Sequence, residues 1–138
     1  MSAAPARFVD QRQVRRNFAR AASTYDQVAV LQREVGSRML ERLDYVRIEP
    51  ARILDLGCGT GASLIALHER YPAAAVVGAD LSEAMLRAGT TQRSRLRWLL
   101  PFLRGNRPPL LAAEASALPF GARSFGLLWT NLMLHWLD

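Results

Sequence analysis

The sequence contains no lysine: all 18 basic residues are arginine, and Cys58 is its single cysteine. One cysteine cannot close an internal disulfide, which excludes a disulfide-stapled secreted scaffold and suits a reducing, cytoplasmic setting. Its place inside a glycine-rich stretch favours a small-residue packing role over a nucleophile. No apolar run approaches the roughly 20 residues of a membrane-spanning helix, and Met1–Asp10 lacks the apolar centre of a secretory signal. No His/Cys/carboxylate cluster has metal-ligand spacing, so no metal is expected. Half of the 138 residues are hydrophobic, enough to bury one core.

The basic residues crowd into one acid-free stretch. Six arginines (Arg87, Arg93, Arg95, Arg97, Arg104 and Arg107) lie between positions 87 and 107 with no acid among them. The remaining chain balances at 12 basic against 12 acidic residues, so the whole +6 net charge belongs to this segment. Such a stretch attracts anionic partners. Nucleic acid ranks low among these, because no aromatic platform or basic recognition motif accompanies the charge.

Periodicity suggests an α/β order. Val9–Ala22 reads as a helix, and Ser23-Thr24 caps a second one from Tyr25 to Leu43, with Val28, Leu31, Val35, Met39 and Leu43 as its buried stripe. Glu34 and Arg38 are spaced for a surface pair. After Pro50, strands are expected at Arg52–Leu56, Ala75–Ala79, Leu110–Ala113 and Ser124–Thr130. Helices are expected at Ala62–Arg70 and, capped by Ser82, through about Ala88. Pro101 interrupts any helix in the arginine-rich segment. The alternation argues for a parallel sheet with right-handed crossovers.

The most specific signal is Ile53-Leu54-Asp55-Leu56-Gly57-Cys58-Gly59-Thr60-Gly61, a short strand, an acid, and three glycines at alternate positions. The glycines allow a sharp strand-to-helix turn with a ligand close to the backbone amides. Gly57, Gly59 and Ala62 also satisfy a dinucleotide-loop spacing, so the glycines alone do not choose a ligand. Asp55 does. A carboxylate two residues ahead of the turn repels a pyrophosphate but pairs with a ligand ammonium group. Asp80, 25 residues further on, stands at the end of the second strand, where a carboxylate can accept both ribose hydroxyls of a nucleoside.

This arrangement resembles motif I of the class I S-adenosylmethionine (SAM) dependent methyltransferases. The resemblance implies a Rossmann-like α/β three-layer sandwich with SAM as cofactor. The loop residues Gly57, Cys58, Gly59 and Gly61 would then pack on the methionine part, with Asp55 holding its amino group. Glu114 stands where the family carries an Asp for the adenine amino group, and Ala115 would add its backbone amide. Leu81 and Met85 are candidate apolar walls of the adenosine pocket; core packing is an equal reading for both. Asn131, at the end of the fourth strand, would border cofactor and acceptor. Tyr25, Asn131 and His135 are candidates for a catalytic part, though none is assigned, because an acceptor carboxylate is already ionised and needs no base.

A narrower resemblance rests on Arg16-Asn17-Phe18-Ala19-Arg20-Ala21-Ala22-Ser23-Thr24-Tyr25-Asp26, on Asp80-Leu81-Ser82-Glu83-Ala84-Met85-Leu86, on Ala117-Leu118-Pro119-Phe120 and on Trp129-Thr130-Asn131-Leu132-Met133-Leu134-His135-Trp136. These stretches resemble the malonyl-carrier-protein O-methyltransferases of biotin synthesis. The resemblance implies methylation of the free carboxylate of a malonyl group on an acyl-carrier protein. It also implies a helical arm (residues 1–49) that closes over the site, followed by the SAM-binding part (residues 50–138). Carrier proteins of this kind are acidic, so Arg12, Arg16 or the 87–107 segment can dock one.

Two features depart from the pattern: Gly126 replaces an Asp common among relatives, and only about four of the seven strands of a complete enzyme are present. The sequence is therefore expected to be part of a longer enzyme, with strand four as an exposed apolar edge bearing Leu127, Leu128 and Trp129, where an oligomer contact is possible. Alternative readings are a methyltransferase-like assembly factor of respiratory complex I, which Glu34-Val35-Gly36-Ser37-Arg38 also resembles, and a non-catalytic SAM-binding module. NAD-dependent oxidoreduction ranks last because of Asp55.

Overall fold

The computed structural model describes residues 25–99 and 108–133, with side chains over 30–91 and 108–133. Helix α1 (Tyr25–Arg42) is followed by a single 3-10 turn at Leu43–Tyr45. The alternating part is β1 (Arg52–Leu56), α2 (Ala62–Arg70), β2 (Ala75–Asp80), α3 (Glu83–Leu99), β3 (Leu110–Ala112) and β4 (Leu127–Trp129). The four strands form one parallel sheet in the order β3-β2-β1-β4. The reversal of strand order falls beside β1, which pairs with β2 on one side and β4 on the other. Open α/β sheets bind ligands at such a point, off the carboxyl ends of the strands.

Strand alternation separates two cores. On one face Ile53, Leu64, Leu67, Val76 and Trp129 are buried together, and Met39 and Leu40 of α1 and Leu43 of the turn after it pack onto them. On the other, Leu54, Leu56 and Ala79 pack with Ala113, Leu118, Phe120, Phe125 and Met133. Phe120 and Phe125 meet edge to face at 4.9 Å, a favourable arrangement for aromatic quadrupoles. Asp55 lies two residues beyond Ile53 and so shares its face, below α1 and α2.

Several boundaries differ from expectation. Helix α3 does not stop near Ala88 but continues through Gly89 to Leu99. Gly89 is there for a packing reason: a Cβ on it would collide with the Thr60 carbonyl oxygen, with the carbonyl carbon only 2.6 Å away. Strand β4 is three residues long, although the Gly126 amide already donates to the Arg52 carbonyl at 2.9 Å. It is the edge of the sheet among the described residues, and Leu128 is 55% exposed, but Trp129 is only 3% exposed because it faces the α2 core. The stripe expected on α1 holds at Met39 and Leu43 but not at Leu31. Leu31 points outward at 64% exposure, while Gly36 is buried and Met39, Leu40 and Leu43 face the core.

Glu34 and Arg38 form the expected pair at 2.8 Å, highly exposed and therefore worth little. The expected helix at Val9–Ala22, the side chain of Val28 and the segment around Pro101 lie outside the described residues. No described helix is long and apolar enough to cross a membrane.

Candidate functional site

The turn after β1 is fastened from below by β2. The amides of Gly57 and Cys58 both donate to the Ala79 carbonyl, at 2.8 and 3.0 Å, and the Gly61 amide donates to the Cys58 carbonyl at 2.8 Å. Gly57, Gly59 and Gly61 all have positive φ, at 74°, 56° and 81°. At Gly57 two demands coincide, since a Cβ there would also strike the side chain of Met133. Cys58 packs near Gly78, whose missing side chain leaves room for the sulfur 2.9 Å from where a Cβ would be.

Asp80 completes the fastening. One carboxylate oxygen accepts the Gly59 amide and the other the Ser82 amide, both at 2.8 Å. Ser82 in turn accepts the Met85 amide at 3.4 Å, capping α3 as its sequence suggested. Burial raises the Asp80 pKa, and the two amide donors oppose that rise.

A cavity of about 280 Å³ opens above this turn. Its floor contains Asp55, Gly57, Cys58 and Thr60, with Ala62, Ser63 and Ala66 of α2 on one side. Gln32, Arg33, Gly36, Ser37 and Leu40 of α1 form the opposite wall, and Asn131 closes the end beyond β4.

Asp55 is 3% exposed, and its Oδ2 has no hydrogen-bond partner among the described residues. Burial first, and the neighbouring Asp80 charge second, push its pKa up to about 7. A buried carboxylate with an unpartnered oxygen is costly unless something cationic or hydrogen-donating meets it. The cavity is where such a group can sit.

Asn131 contributes in a different way. Its Nδ2 donates to the Gln32 carbonyl at 2.7 Å, tying α1 to the end of β4, and its Oδ1 is buried without a partner among the described residues.

Of the candidates from sequence, Asp55, Gly57, Cys58 and Asn131 come together around this cavity. Gly59 is held by Asp80, and Gly61 begins α2. Asp80, Leu81 and Glu114 lie along the same carboxyl edge of the sheet but outside this cavity. Glu114 accepts the Ser116 hydroxyl at 2.8 Å. Met85 is 1% exposed within α3, and Ala115 packs against the Leu54–Leu56 core. Tyr25 begins α1, with its side chain outside the described residues, as are His135, Arg12 and Arg16. No group of three or more His, Cys, Asp or Glu among the described residues is placed to hold a metal ion.

Sequence reasoning missed the α1 wall, above all Gln32, Arg33 and Ser37. The available signal was Gly36, an isolated glycine inside a helix, which usually marks a close approach. Here a Cβ on it would stand 3.1 Å from Asn131 Nδ2.

Residues 53–138 match the family described as "Methyltransferase domain". Among curated proteins, the malonyl-[acyl-carrier protein] O-methyltransferase of Halorhodospira halophila is 46% identical over 138 residues, covering 100% of this chain and 44% of that protein. The protein of the same name from Gallionella capsiferriformans is 44% identical over 130 residues, covering 94% of this chain and 44% of that protein. The chain thus spans under half the length of the curated relatives it matches.

Among solved structures, a chain of the complex between the Haloferax volcanii Trm112 methyltransferase activator and a methyltransferase superposes with a TM-score of 0.62 at 21% identity, over 85% of this chain and 46% of that one. The plantazolicin methyltransferase BpumL, solved with a pentazolic desmethylPZN analog and SAH, gives 0.52 at 16% identity, over 87% and 47%. These two show a shared Rossmann-like fold. The chain belongs to the methyltransferase domain family.

Proposed function

We propose that this chain forms the cofactor-binding part of a SAM-dependent O-methyltransferase that acts on the free carboxylate of malonyl-loaded acyl-carrier protein. The observation that carries the cofactor reading is Asp55: a buried acid with an oxygen unpartnered among the described residues, on the floor of a cavity beside a glycine turn. Its environment fits the α-ammonium of SAM, which would supply both the missing donors and the missing counter-charge. A pyrophosphate at the same place would meet a carboxylate. The family and the names of the relatives support the reaction and its acceptor.

The residues divide the work by position. Asp55 and the glycine turn would hold the methionine end, with Gly57 and Cys58 forming the close-packed floor. Asp80, with lone pairs remaining on both oxygens, and Glu114 stand further along the same sheet edge and would receive the ribose and the adenine. Leu81, Met85 and Ala115 would border the nucleoside. Residues 1–49 would act as an arm and residues 50–138 as the cofactor part. In this reading α1 is the arm's share of the cavity wall.

When bound, SAM supplies a methyl group on a sulfonium centre, ready for transfer to a nucleophile. The chain has no proton to remove from an ionised acceptor carboxylate. Its task is to orient the reactants and exclude water, which is enough to give large rate gains when geometry is fixed. The arginine-rich stretch 87–107 would draw the acidic carrier by long-range attraction. Within it, Arg87 is highly exposed and lies 3.3 Å from Glu83.

The test is transfer from SAM to malonyl-acyl-carrier protein by the full-length protein, with mass spectrometry of the carrier. A methyl ester that forms on malonyl-loaded but not on unloaded carrier supports the proposal. A full-length protein that binds SAM and leaves the malonyl carrier unmodified refutes the assigned activity.

A further inference from the structure

Two buried oxygens around the cavity lack donors among the described residues: Oδ2 of Asp55 and Oδ1 of Asn131. Their chemistry is the same, since each accepts a hydrogen bond and neither can donate from that atom while Asp55 is ionised. The orientation of the Asn131 amide is not free. Its other end lies 2.7 Å from the Gln32 carbonyl, an acceptor, so the nitrogen must face α1 and the oxygen must be the end left over.

The structure holds this amide in place at some cost. Gly36, one turn beyond Gln32, leaves space where a Cβ would stand 3.1 Å from Nδ2. Leu132, the next residue along the chain, takes a left-handed backbone with φ of 54°, a conformation that costs a leucine about 1 kcal/mol. Such strain persists where the surroundings fix a side chain.

We infer that Asn131 is a latch joining cofactor occupancy to the docking of α1. Its oxygen shares the ligand ammonium with Asp55, while its nitrogen holds the arm by the Gln32 carbonyl. An ammonium group has three donors, enough for both oxygens. Once it does, the amide plane is fixed from both ends, and α1 is held against the site. Without ligand the amide has one bond instead of two, and the arm is correspondingly easier to release. This inference rests on the SAM reading and adds to it a route by which the cofactor prepares the wall that the acceptor must pass.

The experiment compares two ligands that differ in the relevant group. S-adenosylhomocysteine carries the amino-acid end, whereas 5′-methylthioadenosine keeps the adenosine and thioether without it. In Asn131→Ala the affinity for S-adenosylhomocysteine should fall by about tenfold or more, the effect of one lost bond to a charged group. Affinity for methylthioadenosine should stay within about twofold. A purely structural role would weaken both ligands equally, and that result, or no loss for either, overturns the latch.

Amide hydrogen exchange over residues 32–36 reads the other end. S-adenosylhomocysteine should slow exchange there in the wild type and not in Asn131→Ala. Asn131→Asp separates the two roles, because it keeps an acceptor for the ammonium but turns an oxygen toward the Gln32 carbonyl. It should retain ligand affinity within about tenfold while residues 32–36 exchange fast even with ligand bound. Slow exchange in that variant overturns the latch. A wild-type protein that binds neither ligand overturns the SAM reading and the latch together, whereas normal binding with an indifferent Asn131 overturns the latch alone.

Discussion

Replacing Asp55 by Asn tests the site through stability, without any ligand. The side chain is 3% exposed and its Oδ2 is unpartnered among the described residues, so the carboxylate form is heavily penalised by burial. The Asp55 pKa rises from 3.8 in the unfolded reference to about 7 in the fold. Between these two values the folded state holds the proton more tightly than the unfolded chain. The protonated acid's contribution is therefore fully present below pH 3.8 and lost as pH rises through about 7.

At 1.36 kcal/mol per pH unit, this interval corresponds to about 4 kcal/mol, a large share of the stability of a small domain. Asp80 shifts in the same direction and adds to the slope. The substituted amide cannot ionise, so urea denaturation of Asp55→Asn from pH 5 to 9 should show a much flatter loss of stability, with the variant more stable than wild type at pH 8. Ligand affinity should move oppositely, since an ammonium favours the ionised acid. Wild-type binding of S-adenosylhomocysteine should therefore weaken below pH 7, and Asp55→Asn should bind poorly throughout. Equal pH slopes for the two proteins would show that Asp55 does not titrate as a buried acid.

Two further perturbations probe the frame and the charge. Gly89→Ala would stabilise an ordinary exposed helix by a few tenths of a kcal/mol or more. Here it should instead cost about 1–3 kcal/mol by overpacking against Thr60 and should weaken S-adenosylhomocysteine binding by displacing the glycine turn; an unchanged urea midpoint contradicts the close approach. Reversing charge at Arg93 and Arg97 should weaken affinity for the acidic carrier more at low salt than at high salt, and equal affinity at both ionic strengths rejects docking by this segment.

The parallel frame was legible in sequence because its signals are local. The continuous apolar run from Ala75 gives a strand buried on both faces, and the capping serine at 82 marks where α3 starts. The place of Asp55 on the cavity floor was legible as well, because the strand that carries it and the glycine turn two residues on are both local signals. What could not be read was proximity between distant elements. Gly89 suggests a helix end from sequence alone and becomes a contact point only once Thr60 is folded above it.

The α1 wall has the same origin. A helical stripe gives a period but not the angle at which the helix docks, so Leu31 was expected inward and Gly36 was not. Docking is set by small residues that allow approach, here Gly36 beneath Asn131, 95 positions away in the chain. Asp80 illustrates a further limit. Its position was clear, but its two bonds to backbone amides show it also building the turn it was expected only to accompany.

In the proposed reading, the glycine turn and Asp55 form a site for SAM and not for a dinucleotide. Calorimetric titration of the protein with S-adenosylhomocysteine and with NAD at pH 8 tests it most directly. S-adenosylhomocysteine should bind saturably to the wild type and not to Asp55→Ala, and NAD should show no measurable binding. Tighter binding of NAD, or S-adenosylhomocysteine binding indifferent to Asp55, would contradict it.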